Sequence, residues 1–209
     1  MNTNQTHRLE LVATGYDIDR AKAVAEAVAG TLLCDERDDA AHLPFRALVS
    51  AITDDVETLL QAADVGAYVV CRRVIKERTS QSSDESPGAL PAGRLPGPIA
   101  LFPMVHHPDL SHRQADDHWR DRHAPLALEH HPFMSHYTQL SVVHRLHGPE
   151  IDGFALCGFD TLEDLRQRFF GSPEGKVAIR NDVATFANTS ESPRRLIAVE
   201  TLYRKAAPC

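Results

Sequence analysis

The sequence predicts an α+β fold made of two tandem units, each with the split β-α-β arrangement of ferredoxin-like domains. Strand and helix patterns recur in similar order on both sides of the chain's midpoint. Between them, eleven of the twenty residues from 79 to 98 are Ser, Pro or Gly, so this stretch cannot bury enough surface to offset its ordering entropy. We therefore expect a domain at 1–78, a mobile linker at 79–97 and a second domain at 98–205.

The first unit shows the order β-α-β-α-β. Strands are predicted at 7–15, 45–52 and 66–75, with one further candidate at 31–34. Asp17 is the expected N-cap of the first helix, because apolar residues recur behind it with helical spacing. Thr53 is the expected cap of the second helix. Four apolar residues of that helix are predicted to face inward: Val56, Leu59, Leu60 and Ala63.

The second unit shows the order β-α-β-β-α, followed by one more helix and a closing strand. Its strands are predicted at 98–108, 133–147, 152–159 and 194–203. Three cap patterns predict the helix starts: Ser111 with Gln114, Asp160 with Glu163, and Ser172 with Pro173. Because each unit has helices on only one side of its antiparallel sheet, the two sheets are expected to pack face to face. Two unrelated small α+β domains are the alternative interpretation.

The composition is that of a globular protein with an acidic balance. The chain has 22 Lys and Arg against 29 Asp and Glu, a formal charge of −7, so no basic field exists to hold nucleic-acid phosphates or an anionic membrane surface. No apolar run approaches the roughly 18 residues that span a bilayer, and the N-terminal stretch MNTNQTHRLE has no hydrophobic signal region. We therefore expect a cytoplasmic protein without a nucleic-acid or membrane partner.

Neither the cysteines nor the histidines are spaced like metal ligands. Isolated thiols without CxxC pairing are usually small buried side chains, which is the expectation for Cys34, Cys71, Cys157 and Cys209. Ten of the twelve histidines fall between residues 106 and 147. His106 and His107 point to opposite faces of a strand, and His118 and His123 are five apart on a helix. We expect no metal and no other cofactor, since a metal site would have to be assembled from distant segments.

The stretch DHWRDRHAPL at 117–126 raises the question of what His123 does. On a helix that begins near residue 112, one stripe carries Ala115, Trp119, Arg122 and Leu126, with His123 at its edge. Pro125 removes a backbone donor and disfavours helical geometry at the preceding residue, so the helix is expected to end or kink just after His123. His123 either caps the last carbonyls of this helix or reaches a neighbouring cleft, where the helix dipole would favour a protonated ring.

The strand that follows this helix offers polar groups on one face. Alternate positions place Tyr137, Gln139 and Ser141 together, and we expect one face of the strand to pack on helices and the other to face a cleft. Three hydrogen-bonding side chains suit a pocket that orients a carbonyl or hydroxyl group, although a solvated strand face is the alternative. Asp182 is available to accept the second ring N–H of His123, or is an ordinary charge on a helix surface.

Five features of the second half occur together. They are the strand ending in His106-His107, W-x-x-x-H-A-P-L from Trp119 to Leu126, H-Y-T-Q after Met134, D-V-A-T-F at Asp182 to Phe186, and V-E-T-L-Y at Val199 to Tyr203. With these features residues 98 to 204 resemble the EthD family, a branch of the dimeric α+β barrel proteins. In that family two ferredoxin-like units usually come from two chains and enclose a cleft. The resemblance implies an intrachain pseudo-dimeric α+β barrel whose first half is a diverged, fused partner with a reduced site or none.

The resemblance also implies a function. Barrel relatives catalyse cyclisation, dehydration, decarboxylation or oxygenation, so we expect a cofactor-independent lyase, cyclase or isomerase for a small aromatic or polyketide-like carbonyl compound. The expected catalytic residues are His123, Tyr137, His107 and Asp182, and the expected substrate-binding residues are Gln139, Trp119 and Ser141. A non-catalytic protein that holds such a metabolite is one alternative, and a haem- or metal-dependent oxygenase-like protein is another. A homodimer of intrachain barrels is compatible with the sequence.

Overall fold

Nine β-strands and six α-helices lie in residues 7–38, 42–78 and 92–204, which are the residues described by the computed structural model. The strands are β1 (His7–Gly15), β2 (Thr31–Cys34), β3 (Ala47–Ala51), β4 (Gly66–Lys76), β5 (Gly93–Arg94), β6 (Ile99–Met104), β7 (Met134–His147), β8 (Gly153–Phe159) and β9 (Leu196–Leu202). The helices are α1 (Ile18–Ala27), α2 (Val56–Leu60), α3 (His112–His118), α4 (Ala124–His130), α5 (Leu162–Gln167) and α6 (Pro173–Phe186). Within these ranges no helix is long and apolar enough to cross a membrane.

Eight of the strands close into an antiparallel barrel. Their order is β2-β3-β1-β4-β7-β8-β6-β9, and β2 pairs again with β9, where Thr31 lies opposite Leu202. The four strands before residue 78 are therefore contiguous, as are β6 to β9, and the two sets join at the β4–β7 and β2–β9 pairings. Closure leaves few unpaired strand edges, which otherwise invite association with other chains. The α+β barrel architecture expected from the sequence is therefore confirmed.

The interior of the barrel is a single apolar core to which both halves contribute. Val12, Leu48 and Tyr68 of the first half pack there with Leu140 and Phe154 of the second. A separate apolar layer lies between α1, α2 and the strands of the first half, and another lies between the later helices and the strands of the second half. Each sheet thus buries one face against helices and the other in the shared interior, which is why neither half has a complete core alone.

The segment predicted as a linker at 79–97 is ordered in its last part. Gly93 and Arg94 form β5 on the edge of β9, and the backbone N–H of the buried Leu95 donates to the carbonyl of Glu200. The structure thus places a short strand and a buried side chain at 93–95, within the segment predicted as a linker. The reason is that β6 pairs only with the first residues of β9, which leaves backbone groups of the later residues for β5. Residues 79–91 lie outside the described residues.

Most predicted helix starts are confirmed, and two are displaced. Asp17 caps α1, Ser111 and Gln114 form the predicted capping box of α3, and Ser172 caps α6. The cap of α2 is Asp55 rather than Thr53, and the cap of α5 is Thr161 rather than Asp160. In both displaced cases a second capping residue follows one or two positions later, and tertiary packing selects between them. Leu59 and Ala63 are buried as predicted, whereas Val56 and Leu60 are exposed.

Candidate functional site

A cavity of about 830 Å³ lies between the second-half strands β6 to β8 and the helices that cover them. Most of its lining side chains are apolar or aromatic: Phe102, Met104, Trp119, Ala155, Phe169, Phe170, Ile179, Val183 and Phe186. Eight polar or titratable side chains also line it: His123, His131, Tyr137, Cys157, Arg180, Asn181, Thr189 and Ser192. Exposed residues of α6, among them Val177 and Arg180, form part of the wall that faces solvent. A cavity of this size and composition suits a small, mainly apolar organic ligand.

The cavity lies on the helix side of the sheet. On β7, Leu140 and Val142 face the filled barrel interior, while Tyr137 faces the helices and the cavity. From the sequence we expected one face of this strand to pack on helices and the opposite face to border the cleft. In the structure one face does both, because the helices of the second half do not cover the sheet completely and the barrel interior is filled by side chains from both halves.

His123 is positioned by a π-helical turn. Trp119–His123 forms this turn between α3 and α4, and the N–H of Ala124 donates to the carbonyl of Trp119, five residues earlier. The helix therefore does not end after His123, because the wider turn accommodates Pro125 in the first turn of α4. A π-turn contains about one residue more than an α-helical turn, and this changes which side chains of the helix point inward. As a result His123 is buried and Arg122 is exposed. Such π-turns occur often at functional sites.

The ring of His123 is bound to Asp182 of α6. Its Nδ1 lies 2.7 Å from Oδ2 of Asp182, and Nε2 of His118 lies 2.8 Å from Oδ1 of the same carboxylate. Both rings also pack against Phe186, with ring centroids 5.1 Å apart in each case. A carboxylate only accepts hydrogen bonds, so it holds the proton of His123 on Nδ1. Nε2 of His123 has no partner among the described residues and is the ring nitrogen left for a ligand in the cavity.

Asp182 remains ionised in this environment. Burial, the largest single effect, raises the pKa of Asp182, but hydrogen bonds from His123 and His118 and the attraction of their rings together bring this pKa below its ordinary value. An ionised Asp182 in turn stabilises a positive charge on the His123 ring. The pair is therefore suited both to hold the histidine in one orientation and to support its protonated form.

Trp119, Tyr137 and Gln139 form a buried hydrogen-bonded set beneath the π-turn. Nε1 of Trp119 and Nε2 of Gln139 both donate to the hydroxyl of Tyr137, at 3.0 and 3.1 Å, and Nε2 of Gln139 also donates to the backbone carbonyl of Trp119. Burial raises the pKa of Tyr137, so its hydroxyl remains protonated. Since the oxygen already accepts two hydrogen bonds, the O–H is the part of this group that is left to donate.

The seven predicted site residues fall into two groups. In the first group, His123, Tyr137 and Trp119 line the cavity, and Asp182 is bound to the ring of His123. Gln139 and Ser141 are buried and do not line the cavity; Gln139 instead holds Tyr137 and Trp119. His107 follows β6, where its Nδ1 accepts a hydrogen bond from the N–H of Asp109, and it does not line the cavity either. The structure therefore does not bring Gln139, Ser141 and His107 to the expected ligand.

The sequence interpretation missed His131 as a site residue. It follows α4 directly and lines the cavity with His123 and Ala127, at intervals of four residues. This spacing is a helical signal, but Pro125 was expected to interrupt the helix between the two histidines. Arg73 of β4 does not line the cavity, but it reaches from the first half to pair with Asp116 and lies 5.4 Å from the ring centroid of Trp119.

The described residues contain no cluster of three or more His, Cys, Asp or Glu side chains arranged to hold a metal ion. Cys34 and Cys157 are buried, and burial raises the pKa of the Cys157 thiol to about 12. This thiol therefore stays protonated at neutral pH and is not a ready nucleophile, although it lines the cavity. Cys71 is half-buried, and Cys209 lies outside the described residues.

Comparison with known proteins agrees with the resemblance of the second half. Residues 107–190 match the family model described as EthD domain, a range that includes the π-turn, β7 and Asp182. No curated protein matches the chain. The solved structure of an anthrone oxidase-like protein aligns with a TM-score of 0.55 and 12% identity, covering 99% of this chain and 97% of that chain. A protein from Lactobacillus acidophilus NCFM, described as a candidate monooxygenase, aligns with a TM-score of 0.46 and 10% identity, covering 97% and 98%. The first of these likenesses shows a shared fold over the full length of both chains.

Proposed function

We propose that this protein is an enzyme of the lyase, cyclase or isomerase type that moves protons on a small aromatic or polyketide-like carbonyl compound with its own side chains. The observation that carries the proposal is the hydrogen-bonded pair of His123 and Asp182 at the wall of a mainly apolar cavity. A histidine held by a carboxylate is suited to general acid–base catalysis, because the carboxylate fixes the ring and stabilises its charged form.

The cavity favours a flat, apolar ligand with few oxygen atoms. Its aromatic wall provides stacking and edge contacts, and its polar groups lie on the π-turn, β7, β8, α6 and the segments that follow α4 and α6. Tyr137 lines the same cavity as His123 and is a second group suited to contact a ligand oxygen. Charged or strongly polar compounds would lose their hydration without matching partners along most of the wall.

The reaction step that we propose is an enolisation. A proton passes from a carbon or hydroxyl group conjugated with the ligand carbonyl to a neutral histidine ring at the cavity wall, and the electron pair of that bond moves towards the carbonyl oxygen. Two groups are suited to stabilise the charge that develops on this oxygen: Nε2–H of protonated His123 and the O–H of Tyr137. Return of the proton to a different atom gives an isomer, and its transfer to a hydroxyl group that leaves the enol as water gives dehydration. Gln139 acts here as a positioning residue for Tyr137.

The comparisons support this class of compound only in outline. The solved structure of matching length is described as anthrone oxidase-like, and an anthrone is a fused-ring aromatic ketone of the kind that the cavity favours.

We also propose that the chain contains two ferredoxin-like units that arose by duplication. The strand orders β2-β3-β1-β4 and β7-β8-β6-β9 support this, because they are equivalent when each half is numbered from its own first strand.

Proton exchange on a carbon acid tests the proposal without knowledge of the natural substrate. Anthrone, 1-tetralone and 2-hydroxyacetophenone are incubated with the protein in deuterated buffer under nitrogen, and loss of the acidic C–H signal is followed by proton NMR. We expect the protein to accelerate exchange on at least one of these ketones. The His123→Gln variant should lose at least about 100-fold of the acceleration, the usual scale of a general acid–base group.

The control is His144→Gln, which removes an exposed histidine of β7 that does not line the cavity. It should exchange at the wild-type rate. If the protein bound these ketones but wild type and His123→Gln both exchanged them only at the rate of buffer, the catalytic proposal would be wrong, and the alternative of a metabolite-binding protein would be favoured. Binding is measured by the fluorescence of Trp119, the single tryptophan, which lines the cavity.

A further inference from the structure

His131 is the second histidine of the cavity, and its ring is rigidly held. Nδ1 lies 2.6 Å from the carbonyl oxygen of Phe169, which only accepts hydrogen bonds, so the proton of the neutral ring is on Nδ1. The ring packs against Phe169 and Phe170, with centroid distances of 4.6 and 5.1 Å. Only 4% of the residue is exposed. Nε2 has no partner among the described residues, and since His131 lines the cavity, this is the ring nitrogen left to accept a proton from a ligand.

The surroundings of His131 favour a neutral ring. Burial has the largest effect and lowers the pKa of His131, the hydrogen bond to Phe169 opposes this, and the nearby His123 and His130 lower the pKa further. Three other titratable groups line the same cavity: Tyr137, the Cys157 thiol, and Arg180 on the exposed side of α6. None of them supplies a negative charge at neutral pH. His131 thus has no carboxylate partner like the one that Asp182 provides for His123.

The two histidines occupy defined positions along one helix. They are eight residues apart with Ala127 between them, and all three line the cavity. At 1.5 Å per residue the two backbone positions are separated by about 12 Å along the axis. The two rings can therefore reach different atoms of one ligand. In each ring Nδ1 is held by a different kind of group, the Asp182 carboxylate for His123 and the Phe169 carbonyl for His131, while Nε2 has no partner among the described residues.

We propose that His131 is a catalytic residue of this cavity, the base that removes a proton from the ligand, while His123 with Asp182 is the acid that returns one at another atom. In the forward step a C–H or O–H bond of the ligand breaks and its proton joins Nε2 of His131. The electron pair moves through the conjugated system to the carbonyl oxygen, and the Nε2–H proton of charged His123 passes to that oxygen. The product is a tautomer of the ligand, so the step needs no oxidant or reductant. His131 ends charged and His123 neutral, and exchange with water restores both.

This inference rests on the proposed function, and it is tested with the full chain in the same deuterium exchange assay. His131→Gln keeps a polar side chain of similar length but cannot accept a proton from a weak acid. We expect it to lower the exchange rate at least about 100-fold while the Kd for the ketone, from Trp119 fluorescence, changes by only a few-fold. His130→Gln is the matched control, because His130 is adjacent in sequence and does not line the cavity. It should keep wild-type exchange.

Nitrogen-15 NMR of the histidine rings in the wild-type protein provides a second measurement that does not depend on how the variants fold. At pH 7 we expect Nε2 of His131 to be unprotonated and Nδ1 to carry the proton. A protonated Nε2 on His131 at this pH would overturn the inference. So would a folded His131→Gln variant that exchanges at the wild-type rate while His123→Gln does not, and this result would leave the proposed function intact. Equal exchange by wild type and His123→Gln would instead contradict the proposed function itself.

Discussion

The carboxylate of Asp182 lies 2.7 Å from Nδ1 of His123, although the two residues are 59 positions apart in the chain. One belongs to α6 and the other to the π-turn, and α6 packs across this turn on the second-half sheet. The contact fixes which ring nitrogen faces the cavity. The candidate site thus depends on the relative placement of two helices more than on any single sequence motif.

Replacement of Asp182 by Asn should impair the proposed proton transfer without abolishing ligand binding. The amide keeps the shape of the side chain but removes the negative charge that stabilises a protonated His123. We expect deuterium exchange on the ketone probes to fall by at least about 100-fold, with ligand binding measured by Trp119 fluorescence nearly unchanged. Wild-type exchange in this variant would mean that the carboxylate has no part in the chemistry.

The same substitution should change the pH dependence of stability in a defined direction. The pKa of Asp182 is lower in the folded protein than in the unfolded chain, where it is near 3.9. Its stabilisation is therefore present above that pH and is lost as the pH falls through the folded value. Urea denaturation should show a difference in free energy of unfolding between wild type and Asp182→Asn that is largest near pH 6 and shrinks towards pH 3.

The ion pair between Arg73 and Asp116 should couple the two halves of the chain. Arg73 is a first-half residue, it is 2% exposed, and its guanidinium donates two hydrogen bonds to the α3 carboxylate. A double-mutant cycle with Arg73→Met and Asp116→Asn should give a coupling energy within about 0.5–3 kcal/mol, measured by urea denaturation. Coupling indistinguishable from zero would contradict an energetic link through this pair.

A matched control for this cycle is the pair of Arg94 and Glu36. It has two comparable hydrogen bonds of 3.1 Å, but its side chains are 61% and 49% exposed. Solvent screens such pairs, and their contribution is usually below about 1 kcal/mol. The cycle with Arg94→Met and Glu36→Gln should therefore give the smaller coupling energy of the two.

His136 should make the protein less stable as the pH falls. Burial, together with Arg78 and Lys76, lowers the pKa of this residue to about 3, against about 6.5 in an unfolded chain. Between these values the unfolded chain binds a proton that the folded protein does not, so the free energy of unfolding decreases with decreasing pH over this window. Urea denaturation at pH 7.5, 5.5 and 4.5 should show a shallower decrease for His136→Gln than for wild type.

The exposed His144 again provides the comparison, since His144→Gln should retain the slope of wild type. An identical slope for His136→Gln and wild type would show that His136 titrates in the folded protein much as in the unfolded one. The contact in which Arg78 donates to Nε2 of His136, at 2.9 Å, would then not be maintained in solution.

The element order was largely predictable because it depends on local patterns. Alternating apolar residues predict the strands β1, β4 and β7. The capping residues Asp17, Ser111 and Ser172 predict where α1, α3 and α6 begin. Helix ends with two adjacent capping residues were less predictable. At α2 and α5 the chosen cap was one or two positions away, because packing decides between locally equivalent starts.

The sequence by itself determined the residue types of the site, through the histidine-rich window and the W-x-x-x-H-A-P stretch. Only the tertiary structure decided their arrangement. The π-turn allows the helix to continue through Pro125 and directs His123 inward. Its formation depends on packing around the whole helix. The same packing places His131 in the cavity and Gln139 and Ser141 outside it. Local periodicity fixes which face of an element is apolar, but the position of an unfilled space between elements depends on how all of them pack together.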